Sequence, residues 1–178
     1  MVNRLTSSAL VAVAGLLMAT PALAQSKSDQ TFVKKAIEGN LAEVQMGQLA
    51  QQKANNSNVR NFGQMLVNDH SANNQQAMTL AQQLHITPPS SPNAEQKRTY
   101  DRLSKLSGDA FDREFARVMV ADHQKDIKEF QTEAKSKTPQ VADYAKDTLP
   151  HLQQHLQAAQ SLTQTAQAPN GGAPRMAH

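Results

Sequence analysis

A chain of 178 residues with a formal charge of +3, 4% aromatic residues and no cysteine excludes several function classes at once. Without cysteine there is no disulfide framework and no thiolate to act as nucleophile or metal ligand. The basic excess is small and forms no Lys/Arg cluster interleaved with aromatics, which speaks against nucleic acid as a partner.

The first residues read as an address. Arg4 supplies a positive start, Ala9 to Met18 is an apolar stretch, and Ala22-Leu23-Ala24 is a small-residue cleavage site. Residues 1–24 are therefore expected to be a signal peptide, giving an exported protein of the periplasm or cell envelope. No later run approaches the ~20 apolar residues of a membrane span. The remainder is rich in Ala, Gln, Leu and Lys and poor in aromatics, a composition that favours one all-α domain. Its expected extent is 25–166, followed by a disordered tail over 167–178, where Pro169-Asn170-Gly171-Gly172-Ala173-Pro174 offers nothing to bury.

The first predicted helix runs from about Asp29 to Asn55, capped by Ser28 or Asp29. Its inward line is Phe32 or Val33, Ala36, Asn40, Glu43, Gly47 and Ala50. The Asn55-Asn56-Ser57-Asn58 cluster marks a turn into a second helix, from about Asn58 to Leu84. Three prolines then interrupt the pattern at Pro88, Pro89 and Pro92. A short helix is expected from Asn93 to Leu106, ended by Ser107-Gly108. The next long helix spans about Asp109 to Lys137, and the last about Pro139 to Thr165, with Pro150 predicted to kink it. The connection between the second and third long helices exceeds twenty residues, enough to travel the length of a bundle. The predicted architecture is an up-down-down-up four-helix bundle with a short helix in the crossover.

One pattern occurs twice. Phe62-Gly63-Gln64-Met65-Leu66-Val67-Asn68-Asp69-His70 is answered by Phe115-Ala116-Arg117-Val118-Met119-Val120-Ala121-Asp122-His123. Both histidines fall on the seam facing the core. Glu43, His70, His123, His151 and His155 all lie near the middle of their helices, so in a bundle they are expected to converge at one level. His151 and His155 are one turn apart, the spacing that lets two imidazoles share an ion, and Asp147 stands where it could orient His151. Neutral imidazoles with a carboxylate suit Fe, Zn, Cu or Ni. The competing reading is structural. A single inward histidine is ordinarily a hydrogen-bonded core residue, and Asp69 and Asp122, about 100° around the helix from their histidines, would then bond lysines or the crossover. The methionines read as core filler. No serine or cysteine nucleophile stands in a recognisable setting, so hydrolysis has no support.

Five stretches taken together resemble an exported bacterial ferritin-like family catalogued as domain-of-unknown-function family 4142. They are Gly39-Asn40-Leu41-Ala42-Glu43, Met65-Leu66-Val67-Asn68-Asp69-His70, Leu106-Ser107-Gly108-Asp109-Ala110-Phe111-Asp112, Met119-Val120-Ala121-Asp122-His123-Gln124 and Leu149-Pro150-His151-Leu152-Gln153-Gln154-His155-Leu156. The resemblance implies a ferritin-like bundle and an envelope location, and supplies no activity. Di-iron members of the wider superfamily carry Glu-x-x-His on two helices. Here Val67 and Val120 stand where those glutamates would precede His70 and His123, which argues against a carboxylate-bridged ferroxidase. Two function classes remain: a metal-binding bundle with a stress-related role, and a non-enzymatic envelope structural or interaction module whose core histidines are structural.

Overall fold

The computed structural model of the chain describes residues 26–167. They form α1 (Lys27–Lys53), α2 (Ser57–Gln83), α3 (Ala94–Ser104), α4 (Gly108–Glu133) and α5 (Pro139–Gln167), with no strand among the described residues. The signal peptide expected from the sequence lies outside this range, as does the expected tail apart from Gln167, which ends α5. Among the described residues, no helix is long and apolar enough to cross a membrane.

The helix starts follow local chemistry. The cap of α1 is Ser26, not Ser28 or Asp29. Its hydroxyl accepts from the Asp29 amide, and the Asp29 carboxylate returns to the Ser26 amide in a capping box. Asp29 has a second duty that explains its burial: it accepts from the Ser136 and Thr138 hydroxyls, tying the start of α1 to the α4–α5 turn. Asp112 makes the matching tie at the other end, accepting from the Asn55 and Asn56 amides between α1 and α2. At the end of α2, His85 adopts φ 50° and Ile86 donates back to the Ala81 carbonyl, the reach of a Schellman turn. α5 continues as a helix through Pro150.

α1 packs chiefly on α2, and α4 on α5, while α3 lies against α1 and α4 inside the long crossover. α1 and α2 come close enough for backbone contact. A Cβ at Gly47 would sit 2.6 Å from the Gly63 carbonyl oxygen, and one at Gly63 would sit 2.7 Å from that of Gly47. Only glycine permits so near an approach.

The interior is divided by a polar layer. One apolar cluster holds Met46 and Leu49 of α1, Phe62 and Leu66 of α2, Phe111, Phe115 and Met119 of α4, and Leu162 of α5. The other holds Phe32 and Ile37 of α1, Leu80 and Leu84 of α2, Phe130 of α4, and Val141, Tyr144 and Leu152 of α5. Between them along every long helix lie buried polar residues: Asn40 and Glu43, His70, His123, and Thr148 with His155. Leu66, Phe115 and Met119, all on the predicted seam, are fully buried.

Candidate metal centre

The repeated nine-residue pattern brings His70 of α2 and His123 of α4 to the same layer, and α5 adds His155. All three are buried, and one ring nitrogen from each lies within 4.8 Å of the other two. The ring centroids are 5.2–5.9 Å apart.

The protonation of each ring is fixed by what its other nitrogen meets. His123 Nδ1 lies 2.9 Å from the Met119 carbonyl, which can only accept, so Nδ1 carries the hydrogen and Nε2 the lone pair. His155 Nε2 lies 2.8 Å from a carboxylate oxygen of Asp69, so in the neutral ring the lone pair is on Nδ1. His70 is fixed at the end of a chain of hydrogen bonds. The Thr148 hydroxyl gives its hydrogen to the Tyr144 carbonyl, and can then only accept from Asn73 Nδ2. That orientation turns Asn73 Oδ1 toward Asn40 Nδ2, which in turn presents Asn40 Oδ1 to His70 Nδ1 at 2.9 Å. His70 Nδ1 must donate, and Nε2 keeps a buried lone pair with no hydrogen-bond partner.

Two lone pairs therefore face each other, His123 Nε2 and His155 Nδ1, at 3.3 Å. A third, on His70, is left without a donor. Donor atoms around a tetrahedral ion bound at ~2.0–2.1 Å are about 3.3–3.4 Å apart, so the His123–His155 edge already has the required length. The oxygen partners of the three outer nitrogens are what metal-ligating imidazoles normally require to hold their orientation.

Protons are poorly suited to fill this gap. Burial, and then the neighbouring rings of His123, His155 and His151, holds His70 well below the usual imidazole value. Burial, then His155, pushes His123 down to about 4. Burial also lowers His155, against the opposing pull of Asp69.

The other expected site residues fall elsewhere. His151 does not point inward with the three. It is exposed, and it shares with His70, His155, Asp69 and Asp147 the lining of a cavity of about 220 Å³ between α2 and α5. Four residues advance a helix by about 400°, so with His155 turned into the core, His151 is both one turn along and rotated toward the α2–α5 groove. Asp147 also lines the cavity, but no hydrogen bond joins it to His151; the carboxylate that orients a histidine is Asp69. Glu43 is buried but lies outside the three-nitrogen group. Its carboxyl is raised well above the usual range by burial, then by Asp122 and Asp126.

The sequence assigns no site role to Asn40, Asn73 or Thr148, and to Asp69 only a structural one. Asn40 and Asn73 do stand on the inward lines of their helices, where a polar residue among apolar neighbours signals a needed partner. Asp69 bonds a histidine of another helix, not the lysines or crossover expected of it.

The family described as "Domain of unknown function (DUF4142)" matches residues 15–162. The chain belongs to this family. No curated protein matches it. Among solved structures, this DUF4142 protein is similar to a DUF305 fragment from Deinococcus radiodurans, with a TM-score of 0.70 and 14% identity over 79% of this chain and 97% of that one. It is likewise similar to a putative secreted DUF305 protein from Streptomyces coelicolor, with a TM-score of 0.68 and 12% identity over 83% of this chain and 97% of that one. At such identities the likeness speaks to the helical fold alone.

Proposed function

We propose that this protein binds one transition-metal ion, from the set Fe, Zn, Cu and Ni, through His70 Nε2, His123 Nε2 and His155 Nδ1. The observation that carries the reading is the pair of lone pairs facing each other 3.3 Å apart inside an apolar bundle, with a cation as the natural occupant between them. Three neutral imidazoles favour a borderline ion, and Cu(II) leads the divalent series in intrinsic affinity. Three protein ligands leave a fourth position for an exogenous group. The order of the two apolar clusters along the helices supports a ferritin-like up-down-down-up bundle, since α1 and α5 run from one cluster to the other while α2 and α4 run back. The sequence of residues 1–24 supports export, so the setting is the periplasm or envelope, with a role in metal handling or stress protection.

A structural reading draws on the Asp69 contact. A charged His155 would donate to both Asp69 and His123, and the protein would be an envelope structural or interaction module. Burial of the ring opposes that charge.

Metal analysis and thermal melts of untagged mature protein separate the two. The expected result is one ion per chain and a metal-dependent rise in stability, about 2.7 kcal/mol at about 100 times Kd. That rise should vanish in His70→Ala and in His155→Ala. A protein with no bound ion and no metal-dependent rise would leave the structural reading in place.

A further inference from the structure

The three-histidine centre is buried, yet two cavities reach it: a small one of about 30 Å³ touches His70 alone of the three, and a larger one lies between α2 and α5. The cavity of about 220 Å³ between α2 and α5 is lined by His70 and His155 from the centre, and by Asp69, Asp147 and His151 nearer its mouth. His123 does not line it. Asp147, His151 and His155 succeed one another at intervals of four residues on α5, so they form a ladder along one side of the helix. Its outer members, Asp147 and His151, are exposed, and its inner member is 1% exposed. The charge on this route is acidic, since Asp69 and Asp147 line it with no lysine or arginine among the lining residues.

We propose that this cavity is the loading route of the metal centre, with His151 and Asp147 as a transient capture station that passes a divalent cation inward to His70 and His155. The inference rests on the three-histidine reading. A hydrated cation arriving from solvent is attracted by the acidic mouth and exchanges one water for the His151 imidazole. It then moves one helical turn inward, where His155 Nδ1 and His70 Nε2 replace further waters. Stepwise exchange keeps the ion coordinated throughout, and avoids carrying a bare charge into a low-dielectric interior. The final site excludes His151, so the station affects rates in both directions and leaves their ratio unchanged.

Stopped-flow loading of the untagged mature protein with Co(II), read by the visible absorption of the bound ion, tests this directly. In His151→Ala, both loading and chelator-driven removal should slow about five-fold or more while Kd stays within about two-fold of wild type. Asp147→Asn should slow loading less, and should flatten the decline of the wild-type loading rate with added salt. Equal loading rates in wild type and His151→Ala would overturn the route. A fall of about ten-fold in equilibrium affinity in His151→Ala, worth about 1.4 kcal/mol, would also overturn it, because His151 would then be a permanent ligand. Failure of wild type itself to take up Co(II) would instead remove the three-histidine reading, and the route with it.

Discussion

Asp69 and His155 meet across the α2–α5 interface at 2.8 Å, and this contact decides which nitrogen of His155 faces the centre of the bundle. The carboxylate is half-buried, while the ring it holds is 1% exposed. Asp69 immediately precedes His70, so one turn of α2 supplies both a candidate ligand and the group that aims another. Removing the oxygen in Asp69→Ala should weaken metal binding by ~10–100-fold. Asp69→Asn, which keeps an acceptor but loses the charge, should lose less. Isothermal titration with Zn(II) measures both, and equal affinity in all three proteins would deny Asp69 any part in the centre.

The buried rings also predict how stability responds to acid. His123 is held down to about 4, whereas in the unfolded chain it titrates near ~6.5. Between those values the unfolded state binds the extra proton. The metal-free fold therefore loses stability as pH falls through this window, by at most about 1.4 kcal/mol per pH unit for each such ring. Asp126 works the other way. Burial, and then the charge of Asp122, raises it to about 7, so the folded state holds a proton that the unfolded state releases. Its contribution is present at low pH and is lost as pH rises from its ordinary value toward 7. Asp126→Asn should therefore steepen the acid destabilisation of the metal-free protein between about pH 4 and 6.5. Urea midpoints across that range provide the check, and parallel curves would place the titrating groups elsewhere.

The contact of α1 with α2 depends on two glycines that share one spot. Gly47→Ala would bring its new Cβ to 2.6 Å from the Gly63 carbonyl oxygen and 3.0 Å from Val67 Cγ2. Backbone cannot yield as a flexible side chain can, so the helices must separate. Overpacking of this kind costs ~1–3 kcal/mol, against which the better helix propensity of alanine returns up to about 1 kcal/mol. The expectation for Gly47→Ala and Gly63→Ala is a lower melting temperature, with a larger loss than for an alanine at Gly39, where the nearest atom is 4.0 Å away. The internal repeat carries the same information: Gly63 is matched by Ala116 on α4.

Helix number, the crossover helix and the seam positions were legible because a 3.6-residue period in apolar residues has few other solutions. The level shared by His70, His123 and His155 followed from their central places in helices of similar length. Less legible was the rotation of each side chain about its own helix. His151 and His155 share a sequence spacing, but the groove between α2 and α5 admits one to the core and leaves the other at the surface. Asp69 looked outward on α2 alone, and acquires its role only once α5 lies beside it. The cap of α1 at Ser26 rests partly on a local pattern, Ser26 with Asp29 three residues on, and partly on distant partners, since Asp29 also accepts from Ser136 and Thr138. Partners distant in sequence settle such choices, and periodicity carries no record of them.

The chain of hydrogen bonds behind His70 makes a prediction about residues far from any ligand atom. Asn73 holds Asn40 in one orientation, and Asn40 holds the hydrogen on His70 Nδ1. In Asn73→Ala the Asn40 amide is free to turn its Nδ2 toward the ring. A donor facing Nδ1 would move the hydrogen to Nε2 and occupy the lone pair that the centre needs. Metal affinity should then fall by ~10-fold or more although no ligand has been changed, as is general for groups that orient ligating imidazoles. Nitrogen NMR of the metal-free protein reads the tautomer independently of binding, and should show His70 shifting from the Nδ1–H to the Nε2–H form. A variant that keeps Nδ1–H and binds as wild type does would mean that Asn40 holds its orientation without Asn73.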